Sequence, residues 1–290
     1  METGKNIFGL GRIGIGSWTY PWAIGTIRDY LPKRPMSPRG LVERAADLGV
    51  TVVQILDNLP LNQLSIEELQ DLRKLALHYR IELQVGTRGI GRSHLLHYLE
   101  IARQLEAPLV RTMGGWPGQR ASLAEIEKEV RAVLPEFARA GVSIALENYE
   151  TYATSDLAHL VNTISHPNLG ICLDLTNSFG ALESAEQVLG NLAPLTINLH
   201  LKDFTIERLD YLMGFAFLGR PIGKGKLPLD QIFTCLAKFG HRPDIIVELW
   251  TPFTKTLEDT LALEQAWAAE SIAHLRSAAT AREQGRRDGR

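Results

Sequence analysis

Val142-Ser143-Ile144-Ala145-Leu146-Glu147, Leu169-Gly170-Ile171-Cys172-Leu173-Asp174 and Thr196-Ile197-Asn198-Leu199-His200-Leu201-Lys202 are three short runs built alike. Each begins largely apolar and ends on charged or imidazole side chains. The first two do not alternate cleanly between apolar and polar, as a strand with one wet face does. Runs of this kind belong to parallel strands covered by helices on one face and by a packed interior on the other. Working outward, further strand candidates fall at residues 13–17, 51–55, 81–86, 109–112 and 245–250. Helix-period segments lie between them at 38–48, 66–78, 93–105, 123–140, 155–164, 184–190, 229–239 and 257–276.

Eight β/α pairs in order predict a single-domain α/β fold, a (β/α)8 TIM barrel over residues 1–277, with a polar, Arg-rich and flexible tail over 278–290. Gly49 and Gly141 sit where helices stop before strands. Ser65 with Glu67 and Glu68, and Ser122 with Glu125, load acids into first helical turns. Gly9-Leu10-Gly11-Arg12-Ile13-Gly14 is close to a dinucleotide fingerprint, but it precedes the first strand instead of following it. The long stretch 203–228, with Arg208, Tyr211, Phe215, Phe217 and Arg220, reads as an irregular flap over the barrel mouth.

Composition narrows the function classes. Over 290 residues, 31 basic side chains against 33 acidic ones leave a net charge of −2, which disfavours nucleic acid or an anionic membrane as partner. No run approaches the length of a membrane span. Residues 1–5 lack the pattern of a secretory leader, so the chain reads as cytoplasmic. The two cysteines, Cys172 and Cys235, give no disulfide framework, and Cys172 reads as a buried small hydrophobe.

In a barrel of this kind chemistry sits at the C-terminal ends of the strands. Reading those ends on strands five to eight yields Glu147, Asp174, His200 and Glu248, spaced by 27, 26 and 48 residues. Three carboxylates converging after apolar strands repel one another and take up protons unless a cation sits among them. One imidazole with three carboxylates suits one divalent ion, Mn²⁺, Mg²⁺ or Co²⁺, better than a thiolate-preferring metal. The other histidines fall on predicted helices or on loops before strands. Trp18, Gln54, Arg88, Arg111, Lys202 and Trp250 lie at or near strand ends and are candidates to wall the pocket or bind hydroxyls and a carboxylate.

Four segments carry a resemblance: Ala145-Leu146-Glu147-Asn148, Leu173-Asp174-Leu175-Thr176-Asn177, His200-Leu201-Lys202-Asp203 and Val247-Glu248-Leu249-Trp250. In them the chain resembles the xylose isomerase-like TIM-barrel superfamily, the sugar phosphate isomerases and epimerases. The resemblance implies that Glu147 and Glu248 both bind metal and exchange substrate protons, and that Asp174 and His200 complete the metal site. It also implies that Arg220, in Gly219-Arg220-Pro221-Ile222-Gly223, reaches substrate. Where many members carry a histidine three residues after the aspartate, this chain has Asn177, which hydrogen-bonds but does not titrate. The expected activity is a sugar isomerase or epimerase moving protons through an enediolate. The alternative is a lyase on the same site, a decarboxylase of a 3-oxo sugar acid or a β-eliminase of a keto-glycoside. The expected partners are a small carbohydrate or sugar acid and further copies of the chain as a dimer or tetramer. A multi-zinc nuclease needs more strand-end histidines than His200 alone, and a non-catalytic sugar-binding module does not need both glutamates.

Overall fold

The computed structural model describes residues 11–116, 118–211 and 213–288. The leader reading of residues 1–5, and Gly9 and Leu10 of the near-fingerprint, lie outside them. Eight parallel strands close into a barrel: β1 (Ile13–Gly16), β2 (Val52–Ile55), β3 (Glu82–Gly86), β4 (Leu109–Thr112), β5 (Ser143–Glu147), β6 (Leu169–Asp174), β7 (Thr196–Leu201) and β8 (Asp244–Val247). Each strand pairs with its sequence neighbours, and β8 closes on β1. Eight main helices surround it: α1 (Pro38–Asp47), α2 (Ile66–Tyr79), α3 (Arg92–Leu105), α4 (Leu123–Ala140), α5 (Thr154–Ile164), α6 (Ala185–Leu192), α7 (Leu229–Lys238) and α8 (Leu257–Asp288). No helix among the described residues is long and apolar enough to cross a membrane.

The helix signals act locally as their chemistry requires. Ser65 and Ser122 accept from the backbone N–H of Glu68 and Glu125, whose carboxylates bond back to the serine N–H. Gly49 and Gly141 take left-handed backbone angles of +65° and +68° where the helices turn into strands.

Two layers of packing follow from the two-residue period of a strand. Ile144, Leu146, Ile171 and Leu173 join the large core that includes residues of the surrounding helices. Their alternates Ala145 and Cys172 form a separate small cluster with Leu109 of β4 and Ile197. Two residues further along the same strands stand Arg111, Glu147 and Asp174. The barrel interior is therefore apolar in that cluster and charged one layer nearer the mouth. A bulge keeps β7 in step: Ile171 faces Thr196 but Cys172 faces Asn198, so Ile197 is the extra residue and His200 lands opposite Asp174.

Two expectations change. The stretch after β7 is not irregular, because Asp203–Arg208 and Phe215–Arg220 pair as an antiparallel hairpin. Its alternating Phe204, Ile206, Phe215 and Phe217 give it strand periodicity, with Phe204 stacked on Phe217 at 4.1 Å between ring centres. And α8 does not stop at Arg276: the stretch from Ala278 continues the helix to Asp288, since its Ala, Arg, Glu and Gln residues are good helix formers. Gly289 and Arg290 lie outside the described residues.

Candidate functional site

Glu147 ends β5, Asp174 ends β6, His200 lies in β7 and Glu248 follows β8, and the barrel gathers all four at one end. All are buried. His200 Nδ1 lies 3.2 Å from Glu248 Oε1 and 3.5 Å from Glu147 Oε2. Asp174, His200 and Glu248 each offer a ligand atom within 4.8 Å of the others, and Glu147, Cys172 and His200 form a second such group.

The carboxylates are held by neighbours that the sequence reading did not assign to them. Lys202 Nζ sits 2.7 Å from Asp174 Oδ2 and 3.0 Å from Glu248 Oε2, and donates to Asn177 Oδ1 at 3.2 Å. Lys202 does not pair with Asp203, whose carboxylate instead accepts the backbone N–H groups of Phe204, Gly223, Gly225 and Leu227. Arg111 pairs with Glu147 and with Asp57 Oδ1 at 3.2 Å, and Asp57 also holds Arg88 at 2.9 Å. Asn177 Nδ2 donates to Glu147 Oε1 at 2.9 Å, a bond that fixes the carboxylate without titrating. Asn148 ties β5 to β6, accepting from Asp174 N and donating to Asp174 O. Asp174 Oδ1 caps the turn Leu175–Ser178, accepting from Thr176 N and Asn177 N, which leaves Oδ2 for the site.

Burial opposes charge at Glu147, but Arg111, His200 and Lys202 together outweigh it and hold the carboxyl down at about 2. Burial raises Asp174; Lys202 opposes the rise, and Glu147 and Glu248 add to it. Burial works against the cations Lys202 and Arg111 too, yet the surrounding carboxylates raise both above their ordinary values. Burial, aided by Glu147, pushes the Cys172 thiol well up, so it stays protonated.

The donor set fits a divalent ion on one observation. His200 Nδ1 and Glu248 Oε1 are buried and make no hydrogen bond, and with Asp174, whose Oδ2 pairs with Lys202, their residues form one ligand group. Buried polar atoms are rarely left so, and an ion is one of the partners that accounts for them. Charge alone does not demand the ion, contrary to the expectation from three converging carboxylates. Four carboxylates, Asp57, Glu147, Asp174 and Glu248, face Arg88, Arg111 and Lys202, leaving one negative charge uncompensated.

A cavity of about 150 Å³ opens onto the site, with Trp18, Arg88, Arg111, Glu147, Asn177, Lys202, Glu248 and Trp250 in its wall. Trp18 carries Arg88 5.9 Å above its ring, and Lys202 lies 5.6 Å from the centre of Trp250. Arg220 does not line it: its guanidinium pairs across the hairpin with Glu207. Gln54 points into the barrel, where its Oε1 lies 2.6 Å from His200 Nε2. Tyr149 and Met113 also line the cavity, and Asp57 orders both arginines. Strand-end counting reaches none of these three, because they lie past the ends of β5, β4 and β2.

The chain belongs to the xylose isomerase-like TIM-barrel family, whose model matches residues 42–278. It is 34% identical over 263 residues to 3-oxo-isoapionate decarboxylase of Pectobacterium atrosepticum, covering 91% of this chain and 94% of that one. D-psicose 3-epimerase of Clostridium cellulolyticum H10, solved with D-tagatose, shares its fold with a TM-score of 0.70 at 15% identity, covering 92% of this chain and 99% of that one. A xylose isomerase-like TIM-barrel protein of Mycobacterium smegmatis, solved in complex with magnesium, aligns with a TM-score of 0.65 at 14% identity, over 96% and 99% of the two chains.

Proposed function

We propose that this chain is a metal-dependent lyase that removes carbon dioxide from a 3-oxo sugar acid. The observation that carries the reading is that three cations line the cavity beside the carboxylates they pair with. Arg88, Arg111 and Lys202 line one small space, which suits a substrate bearing a carboxylate. The extended identity with a 3-oxo-isoapionate decarboxylase supports the same class. Asn177 fits it too, because loss of carbon dioxide needs a group that orients and does not need a further acid or base there.

Asp174, His200, Glu248 and Glu147 are the residues that would hold a divalent ion, and the ion would supply Lewis-acid polarisation of the 3-oxo carbonyl. The protein's own groups do the rest. Arg88 and Arg111 orient the carboxylate. The carbon–carbon bond to it breaks, its electron pair moves toward the 3-oxo oxygen, and carbon dioxide departs. Lys202, kept charged by Asp174 and Glu248, faces the developing enediolate as a fixed positive group. A proton drawn from solvent is added, on the side of Glu248, to the carbon that lost carbon dioxide. Glu147, held ionised by Arg111, serves as an anchor and not as the acid.

A sugar isomerase or epimerase on the same site is the second reading, favoured by the placement of both Glu147 and Glu248 in one cavity wall, as two-base proton exchange requires. Incubation with 3-oxo sugar acids and keto-sugars in deuterium oxide separates the two. Release of carbon dioxide with one deuterium gained in the product supports the lyase. Exchange or epimerisation of a neutral keto-sugar with no turnover of the acids supports the isomerase. Activity that survives complete chelation would remove the metal from both.

A further inference from the structure

We infer that a chain of buried amides, running from Asp244 through Gln84 and Gln54, dictates which nitrogen of His200 is free to bind the metal. The inference rests on reading His200 as a ligand, but the chain itself stands on donor and acceptor chemistry alone. Arg12 grips both oxygens of Asp244, with Nε 3.2 Å from Oδ1 and Nη2 2.8 Å from Oδ2, and also binds Glu82. A carboxylate so held can only accept.

Each step then leaves one choice. Gln84 Nε2 donates to Asp244 Oδ2 at 2.9 Å, so Gln84 must turn its Oε1 the other way. That oxygen accepts from Gln54 Nε2 and from Asn198 Nδ2, both at 3.1 Å. Gln54 Nε2 also donates to Asn198 Oδ1 at 2.9 Å. With its NH₂ thus committed, Gln54 has only Oε1 left for His200, 2.6 Å from Nε2. An amide oxygen accepts, so His200 Nε2 must carry the hydrogen. Nδ1 is the nitrogen that faces Glu248 and Glu147, and it is the one with no hydrogen bond. Gln54, Gln84, Asn198 and His200 are all buried, so water does not offer a competing orientation.

Gln54 and Gln84 are thus positioning residues. They act through His200 in the way outer-shell partners fix the tautomer of metal-bound histidines. Gln84 makes no hydrogen bond to His200, so an effect of Gln84 on the ring is specific to the chain of amides.

The test is nitrogen-15 NMR of the full-length protein with labelled histidine at pH 8.5, the His200 signals identified by their loss in His200→Ala. The expected result is a ring protonated on Nε2 with a free Nδ1. Gln84→Leu should give a mixture of tautomers. It should also weaken Mn²⁺ binding, measured by calorimetry, about tenfold or more. A wild-type ring protonated on Nδ1 would overturn the inference, whether or not the variant folds. So would a folded Gln84→Leu protein with unchanged ring shifts and Mn²⁺ affinity. Should the wild type bind no Mn²⁺, the metal reading fails, while the ring shifts still decide the relay.

Discussion

Arg111 is the residue on which the electrostatics of the site turn. Its fork serves Glu147, Asp57 and the Thr87 carbonyl at once, which a lysine ammonium on a flexible stem does not reproduce. Arg111→Lys should let the Glu147 carboxyl climb from about 2 toward its ordinary range. A reaction that needs Glu147 ionised then loses rate at higher pH. The acid limb of kcat/KM should move up by about one unit, read from a pH–rate profile. The four strand-end residues that the barrel gathers were legible one by one, because a strand end after an apolar run is a local pattern. Asp57 and Tyr149 were not, because nothing in the neighbouring residues marks a loop position that happens to hold the site's arginines or face its cavity. Arg220 was misplaced for a related reason: a loop motif specifies residues, and the pairing across the hairpin decides where they point.

At the scale of elements, the hairpin after β7 and the short helix Pro21–Ile24 flank the mouth. A Cβ on Gly219 would stand 2.1 Å from Trp250 O and 2.7 Å from Trp250 C, so the hairpin backbone lies directly on the chain that follows Glu248. Gly219→Ala must push one off the other. The expected outcome is a fall in kcat/KM of roughly tenfold or more, the scale of a misplaced site, with the barrel still folded by circular dichroism. At the short helix, Glu264 of α8 accepts from Trp22 N and Ala23 N and is buried. Burial raises its carboxyl to about 8, against those two bonds. The folded chain therefore keeps a proton that the unfolded chain gives up above about 4.5. Stability should fall as pH rises from about 4.5 to about 8 and level off beyond. Urea unfolding across that range checks the slope, and Glu264→Gln should flatten it.

At the scale of the molecule, the site is a set of charges borrowed from separate strands, and the folded state carries their cost. Lys202 offsets part of it by standing between Asp174 and Glu248. Lys202→Met should cost the metal-free protein about 3 kcal/mol, because it leaves buried carboxylates without that partner. The same change removes a competing cation, so Mn²⁺ should stabilise the variant more than the wild type. At a hundredfold excess over Kd, a bound ion adds about 2.7 kcal/mol to either protein. Thermal melts at one fixed Mn²⁺ concentration should show the larger shift for Lys202→Met and none for His200→Ala.

Strand order, the closed barrel and the four residues Glu147, Asp174, His200 and Glu248 were determined by the chain's local patterns. Period, capping and strand length act over a few residues, and short right-handed β/α connections leave little freedom in how the units assemble. Only the tertiary structure decided the partners: Arg111 on Glu147, Lys202 between Asp174 and Glu248, and Gln54 beneath His200. Arg111 and Glu147 stand 36 positions apart in the chain, and Gln54 and His200 stand 146 apart. Their contacts depend on side-chain conformations that are set only when the whole interior is packed, and no spacing along the chain encodes that.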